Sequence, residues 1–224
     1  MNEVIQDVFF VTYADSYLPE RMVFPGGDSQ KLWPIVFGFY LLRIDSRWIL
    51  VDVGSEEIKG FVLENYISPI EALKEYGVEA CDVDTVIITH AHGDHIGTVK
   101  HFKNADIYIQ QDEYEKGQKY IPSGYRVHLF DKEIDVANHL HVVNIGGHSI
   151  GSSVVEFEWR GREYVICGDE CYLQWNLENK IITGSSVCKE KSLYFINKYS
   201  SNLYVPLLCH DPKSGSRVNN YKRR

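Results

Sequence analysis

Residues 85–97 read Thr85-Val86-Ile87-Ile88-Thr89-His90-Ala91-His92-Gly93-Asp94-His95-Ile96-Gly97. The first half is an unbroken apolar run, as expected of a strand buried on both faces, and it delivers His90 at its end. Four possible metal ligands then fall within six positions, an arrangement that chance would produce in roughly one chain in a thousand of this composition. Imidazole and carboxylate are the nitrogen and oxygen donors that borderline divalent ions accept. His90 and His92 occupy alternate positions on extended chain, so both point to one side and share one ion. Gly93 lets the backbone turn, after which Asp94 and His95 open a helix and face another direction, where a second ion can bind.

Two imidazoles do not complete a metal site, and three further donors stand at the ends of apolar runs. They are His148 in Ile145-Gly146-Gly147-His148-Ser149, Asp169 in Cys167-Gly168-Asp169, and His210 in Leu207-Leu208-Cys209-His210. Ligands at the ends of several strands of one rigid framework are what a preorganised site requires. Of the remaining histidines, His139 and His141 imitate a ligand pair, but no carboxylate or third histidine accompanies them. Cys167, Cys171 and Cys209 flank ligands in sequence and read as small buried packing groups.

Around this centre the chain alternates strands and helices. Strands are expected at Val4–Thr12, Val36–Ile44 and Trp48–Val53, the last two joined by a turn at Ser46-Arg47. Ser68-Pro69-Ile70-Glu71 has the spacing of a capping box with proline at the first helical position, and Gly77 stops the helix that follows. Further on come a helix near Ile96–Phe102 and strands at Ile107–Gln110, His141–Ile145, Ser153–Glu158 and Tyr164–Cys167. A helix at Lys189–Tyr199 and a strand near Leu203–Leu208 close the chain. Tyr13–Pro34 and Glu170–Ser186 read as long loops, which inside a compact domain are usually functional or mobile.

The ordered set from Val51-Asp52-Val53-Gly54 to His210 resembles the metallo-β-lactamase superfamily. The resemblance implies an α/β fold, the αββα four-layer sandwich. It implies one ion on His90, His92 and His148, a second on Asp94, His95 and His210, Asp169 bridging them, and Asp52 supporting the site from behind. Zinc is the default for these two divalent ions, with iron, manganese or cobalt fitting the same donors. Two such ions sharing a water would bring its pKa towards neutrality and polarise an acyl oxygen, so hydrolysis is the natural chemistry, with Asp94 relaying a proton to the leaving group. Within the superfamily, Trp33-Pro34-Ile35-Val36 leading into Tyr40-Leu41-Leu42 is similar to the N-terminal segment of N-acyl-homoserine lactonases. Asp169-Glu170-Cys171-Tyr172 is similar to the segment in which their tyrosine hydrogen-bonds the substrate, which implies that role for Tyr172. Tyr13, Tyr17, Phe24, Trp33 and Trp175 are expected to wall an acyl pocket. The segment before the metal motif and the 14-residue tail after His210 are shorter than in a typical lactonase. The alternatives are a glyoxalase-type thioesterase, a small phosphodiesterase, or, in another class, a persulfide dioxygenase binding one iron through His90, His148 and Asp169.

Composition bounds the rest. The 224 residues read as one domain, 1–224, with 23 Lys and Arg against 31 Asp and Glu for a net charge of −8, which disfavours a surface that tracks phosphates. The basic cluster is Lys222-Arg223-Arg224. No apolar run reaches the length of a membrane span, and acids among Met1–Asp7 argue against a secretory leader. Five cysteines, an odd number in a chain that needs no staples, fit a reducing compartment, the cytoplasm. The partner expected is a small acyl or lactone substrate, with no nucleic acid and no membrane, and with the protein a monomer or homodimer.

Overall fold

Runs such as Phe39-Tyr40-Leu41-Leu42 and Val86-Ile87-Ile88 are apolar at consecutive positions, so their strands must bury two faces, and the alternation of side chains decides which layer each residue joins. The computed structural model describes residues 4–218; Lys222-Arg223-Arg224 and Met1–Glu3 lie outside them. The elements run β1 (Ile5–Pro19), α1 (Glu20–Val23), β2 (Leu32–Ile44), β3 (Arg47–Val51), α2 (Pro69–Lys74), β4 (Val83–Ile88), α3 (Gly93–Ile96), β5 (Asp106–Gln110) and α4 (Gln111–Gly117). They continue with β6 (Arg126–Phe130), β7 (Glu133–Ala137), β8 (Leu140–Asn144), β9 (Ser153–Trp159), β10 (Arg162–Ile166), α5 (Gln174–Asn179), α6 (Lys189–Tyr199) and β11 (Tyr204–Leu207).

One sheet has the order β1-β2-β3-β4-β5-β6 and the other β11-β10-β9-β8-β7. Tyr40, Leu42, Ile49, Val51 and Ile87 of the first pack against Val142, Val155, Phe157 and Ile166 of the second. Their sequence neighbours Leu41, Leu50, Val86 and Ile88 face the other way, onto Ala72, Leu73, Ile96 and Val99. On the far side Val154 and Val165 pack under Leu177, Phe195 and Ile196 of α5 and α6. Helix, sheet, sheet, helix is the αββα sandwich. Among the described residues no helix is long and apolar enough to cross a membrane.

Several local expectations change. The Tyr13–Pro34 stretch begins and ends in strand: β1 and β2 pair from Ile5↔Ile44 out to Pro19↔Leu32, so only Glu20–Lys31 connects them. The hairpin turn sits one residue early, because Ile44 pairs with Arg47 and Asp45 takes the left-handed conformation at φ 54°. The helix expected at Ile96–Phe102 breaks into α3 and a 3-10 turn at Val99–His101. Tertiary bonds win there, as Thr98 gives its N–H to Gly54 O at 3.1 Å and its hydroxyl to Val53 O at 2.5 Å. The edge strands β6 and β7 have mostly exposed or half-buried residues and so lack the apolar signal that reveals a strand. Glu170–Ser186 contains α5, capped by Lys180 at φ 54°.

Candidate metal centre and active site

The strands β3, β4, β8, β10 and β11 all end at one rim of the sandwich, and each donor follows one of those ends. β3 and β4 run parallel, with Leu50 opposite Val86 and Val51 opposite Ile87, so Asp52 and Thr89 emerge side by side. Asp52 itself is left-handed at φ 62°, and this uncommon backbone turns its carboxylate onto the Thr89 N–H at 2.8 Å and the Thr89 hydroxyl at 2.9 Å. Ser153 N–H reaches Thr89 O at 3.0 Å, tying the second sheet to the same point.

The structure brings all seven candidate ligands together. His92 Nδ1 lies 3.0 Å from both His90 Nε2 and His148 Nε2. Asp169 then spans two groups. Its Oδ2 is 3.6 Å from His90 Nε2 and 3.4 Å from His148 Nε2, while its Oδ1 is 3.0 Å from both His95 Nε2 and His210 Nε2. Asp94 Oδ2 completes the second group at 3.6 Å from His95 and 3.8 Å from His210. Donors about 2.0–2.1 Å from a tetrahedral ion stand roughly 3.3 Å apart, which is the spacing found here.

Groups behind the rings fix which nitrogen faces the centre. His95 Nδ1 donates to Asp52 Oδ2 at 2.8 Å and His210 Nδ1 to Val36 O at 3.0 Å. The Thr89 hydroxyl, spent on Asp52, accepts from His90 Nδ1 at 3.1 Å. Each of these rings therefore presents a bare Nε2 inward, the arrangement that orients metal-bound histidines. His95 Nε2 is buried with no aligned hydrogen bond, although Asp169 Oδ1 is close. A lone pair facing a carboxylate oxygen calls for a positive charge between them, so this donor set fits divalent ions.

The electrostatics differ between the two groups. Burial holds His90 well below the ordinary histidine value, with His95 adding to it, and burial brings His148 down to about 4. Burial also works against charging His95 and His210, but Asp169 outweighs it, aided at His95 by Asp52 and Asp94, and both rings rise. Asp169 falls well below the carboxylate range, because four histidines overcome its burial. The second group thus attracts protons that a divalent ion would displace.

The centre forms the floor of a cleft of about 640 Å³ with Leu18, Met22, Ile35, Phe37 and Phe61 among its walls. Ile150 and Val187, 60% and 65% exposed, stand among the lining too. Tyr172 lines the floor, its ring 6.1 Å from that of His148 and 5.6 Å from that of His210. Burial, with Asp169 next, lifts its pKa well above 10, while Ser185 hydrogen-bonds it.

The aromatic residues expected from sequence to wall a pocket stand outside the lining of this cleft. Phe24, Trp33 and Trp175 are not among the residues that line the cleft. They gather around Trp175, which lies tilted 5.1 Å from Phe24 and edge-on 5.3 Å from Trp33, and pack against the helix-side core; their large area is used for packing. Tyr13 is fully buried and donates to Asp94 O at 3.2 Å, and Tyr17 points to solvent. His139 sits in the β7–β8 turn, and His141 bonds Asp135 at 2.6 Å. Cys209 lies beside Asp52 and His95. Phe61, Lys116 and Ser185 line the cleft without having been singled out, since each comes from a segment with no motif.

A helix-flanked pair of sheets with a histidine and aspartate cluster at their common rim defines a metal-dependent hydrolase. The chain belongs to the metallo-β-lactamase superfamily, whose sequence pattern matches residues 39–170, a family that binds divalent metals. Among its relatives, the N-acyl homoserine lactonase AiiA of Bacillus thuringiensis subsp. kurstaki is 26% identical over 202 residues, covering 79% of this chain and 80% of that protein. A probable metallo-hydrolase of Methanocaldococcus jannaschii is 28% identical over 150 residues, covering 67% of this chain and 64% of that protein. A solved N-acyl homoserine lactone hydrolase, with the product N-hexanoyl-L-homoserine bound at its catalytic metal centre, shares the fold at a TM-score of 0.84. It is 20% identical over 97% of this chain and 98% of that one.

Proposed function

We propose that the protein is a dinuclear metal-dependent hydrolase that opens lactones, with N-acyl homoserine lactones or similar esters as its substrate class. The observation that carries this reading is the apolar cleft ending on two donor groups that share Asp169, with the ring of Tyr172 beside them. His90, His92 and His148 would hold one ion and Asp94, His95 and His210 the other, with zinc the default and iron, manganese or cobalt fitting the same donors. Ions bound there would supply a nucleophilic water at neutral pH and polarise the ester carbonyl.

The protein's own groups do the rest. Leu18, Ile35, Phe37 and Phe61 take an acyl chain out of water and aim the ester at the floor. Tyr172 stays protonated at neutral pH and donates its O–H to the oxygen on which charge develops. A carboxylate oxygen of Asp94 takes the proton lost by the attacking water. As the ring C–O bond breaks, Asp94 returns that proton to the leaving alkoxide, so one water is consumed and one hydroxy acid formed. The five free cysteines support action in the cytoplasm.

Proton release from a panel of N-acyl homoserine lactones, with metal-reloaded and chelated protein side by side, tests the substrate class. Metal-dependent acid production supports it. Silence on every lactone, with two ions bound, removes the lactone assignment and directs the search to thioesters and small phosphodiesters. One iron per chain with oxygen uptake replaces hydrolysis by the dioxygenase reading.

A further inference from the structure

His148 sits in the loop Gly146-Gly147-His148-Ser149-Ile150-Gly151-Ser152, which is largely buried, so its backbone N–H groups need acceptors. Two carboxylates provide them from opposite sides. Glu113, on α4, accepts at Oε1 from the Ser149 hydroxyl at 2.8 Å, Gly151 N–H at 3.1 Å and Lys116 Nζ at 3.0 Å. Its Oε2 accepts at 2.9 Å from the N–H of Ala91, the residue between His90 and His92. Glu170, directly after Asp169, accepts at Oε1 from Gly147 N–H at 2.9 Å, His148 N–H at 3.1 Å and the Ser152 hydroxyl. Both residues are 1% exposed, and neither lines the cleft. The loop's glycines make room for them, since a Cβ at Gly147 would overlap Glu170 and one at Gly151 would overlap Gln110 and Glu113.

We infer that Glu113 and Glu170 are positioning residues that lace the segments carrying His90, His92, His148 and Asp169 into fixed spacing, assembling the three-histidine group before an ion enters. This rests on the metal reading above. Neither glutamate touches an ion or a substrate; both act through the loops whose hydrogen bonds they collect.

The two differ in a way that can be tested. Glu113 uses both oxygens as acceptors, so an amide in its place sets an N–H₂ against the Ala91 N–H or, turned over, against the Gly151 N–H and the Lys116 ammonium, and cuts one of its two links either way. Glu170 puts all three donors on Oε1, and its buried Oε2 accepts none among the described residues, so glutamine keeps every bond.

The test is a Zn²⁺ titration against a chromophoric chelator, in the full chain and in a His210→Ala background that cripples the second group. Glu113→Gln is expected to weaken the ion on His90, His92 and His148 by about 10–100-fold. Glu170→Gln is expected to stay within about threefold of the parent, whereas Glu170→Ala falls as far as Glu113→Gln. Circular dichroism of the metal-free proteins checks folding. Should Glu113→Gln not fold, Ser149→Ala removes one donor only and is expected to weaken the same ion by about 3–10-fold. Parental affinity in Glu113→Gln, or in Ser149→Ala where that variant carries the test, overturns the inference, and so does a Glu170→Gln as damaged as Glu170→Ala. A parent that binds Zn²⁺ with unaffected variants sinks this inference alone, while a parent that takes no divalent ion sinks the metal reading with it.

Discussion

The floor of the cleft and its walls are built on opposite principles. On the floor every ring but that of His92 is buried and three are braced: Asp52 behind His95, Val36 O behind His210, Thr89 behind His90. The walls come from the β1–β2 hairpin, the segment around Phe61 and two half-open positions, Ile150 and Val187, which contribute area and little direction. A centre for bond cleavage needs atoms held within a fraction of an ångström, while a pocket for an alkyl chain needs only apolar surface of about the right shape. On the function proposed above, reaction type would be carried by the floor and substrate preference by the walls, so that the second could change without disturbing the first.

The contrast breaks most decisively at Asp169. Replacement by asparagine weakens the charge both donor groups share, and hydrolysis is expected to fall by about 10³-fold or more, with fewer ions retained in elemental analysis; an active, metal-replete variant would separate the floor from the chemistry. Next is Tyr172→Phe, for which kcat should drop by about 10²-fold while metal content and fold are kept. An unchanged kcat would reassign the tyrosine to the wall. Phe61→Ala probes the wall itself. KM for long-chain substrates should rise by about tenfold with kcat on short chains unmoved, and a kcat effect across the series would mean that the wall also aims the ester. The smallest change in activity is expected from Trp175→Ala. Thermal unfolding should show a loss of about 1–3 kcal/mol, below the cost of a fully buried aromatic, with KM unaltered. A shifted KM would bring the Phe24, Trp33 and Trp175 cluster back into substrate binding.

The difference between floor and wall also governs what could be read from the chain. His90, His92, Asp94 and His95 are legible because they lie within six residues, where the periodicity of strand and turn determines direction. His148, Asp169 and His210 are legible because each ends an apolar run. The aromatic residues misled for the converse reason: a large side chain signals that area is being buried, never which surface buries it. Glu113 and Glu170 carry no sequence signal either, since a lone glutamate is most often solvated, and only the loop folded against each shows otherwise.

Residue order carried the strands that bury both faces and the seven candidate ligands, because strand alternation and metal-ligand chemistry are local properties; the four-layer sandwich followed from the resemblance to the superfamily, since such strands also suit a three-layer α/β fold. The tertiary structure alone decided that Asp169 offers one oxygen to each donor group, which nitrogen each braced ring turns inward, and which apolar residues meet across the cleft. Those are distances between residues as far apart as Val36 and His210, and only the packing of two sheets on one core sets them.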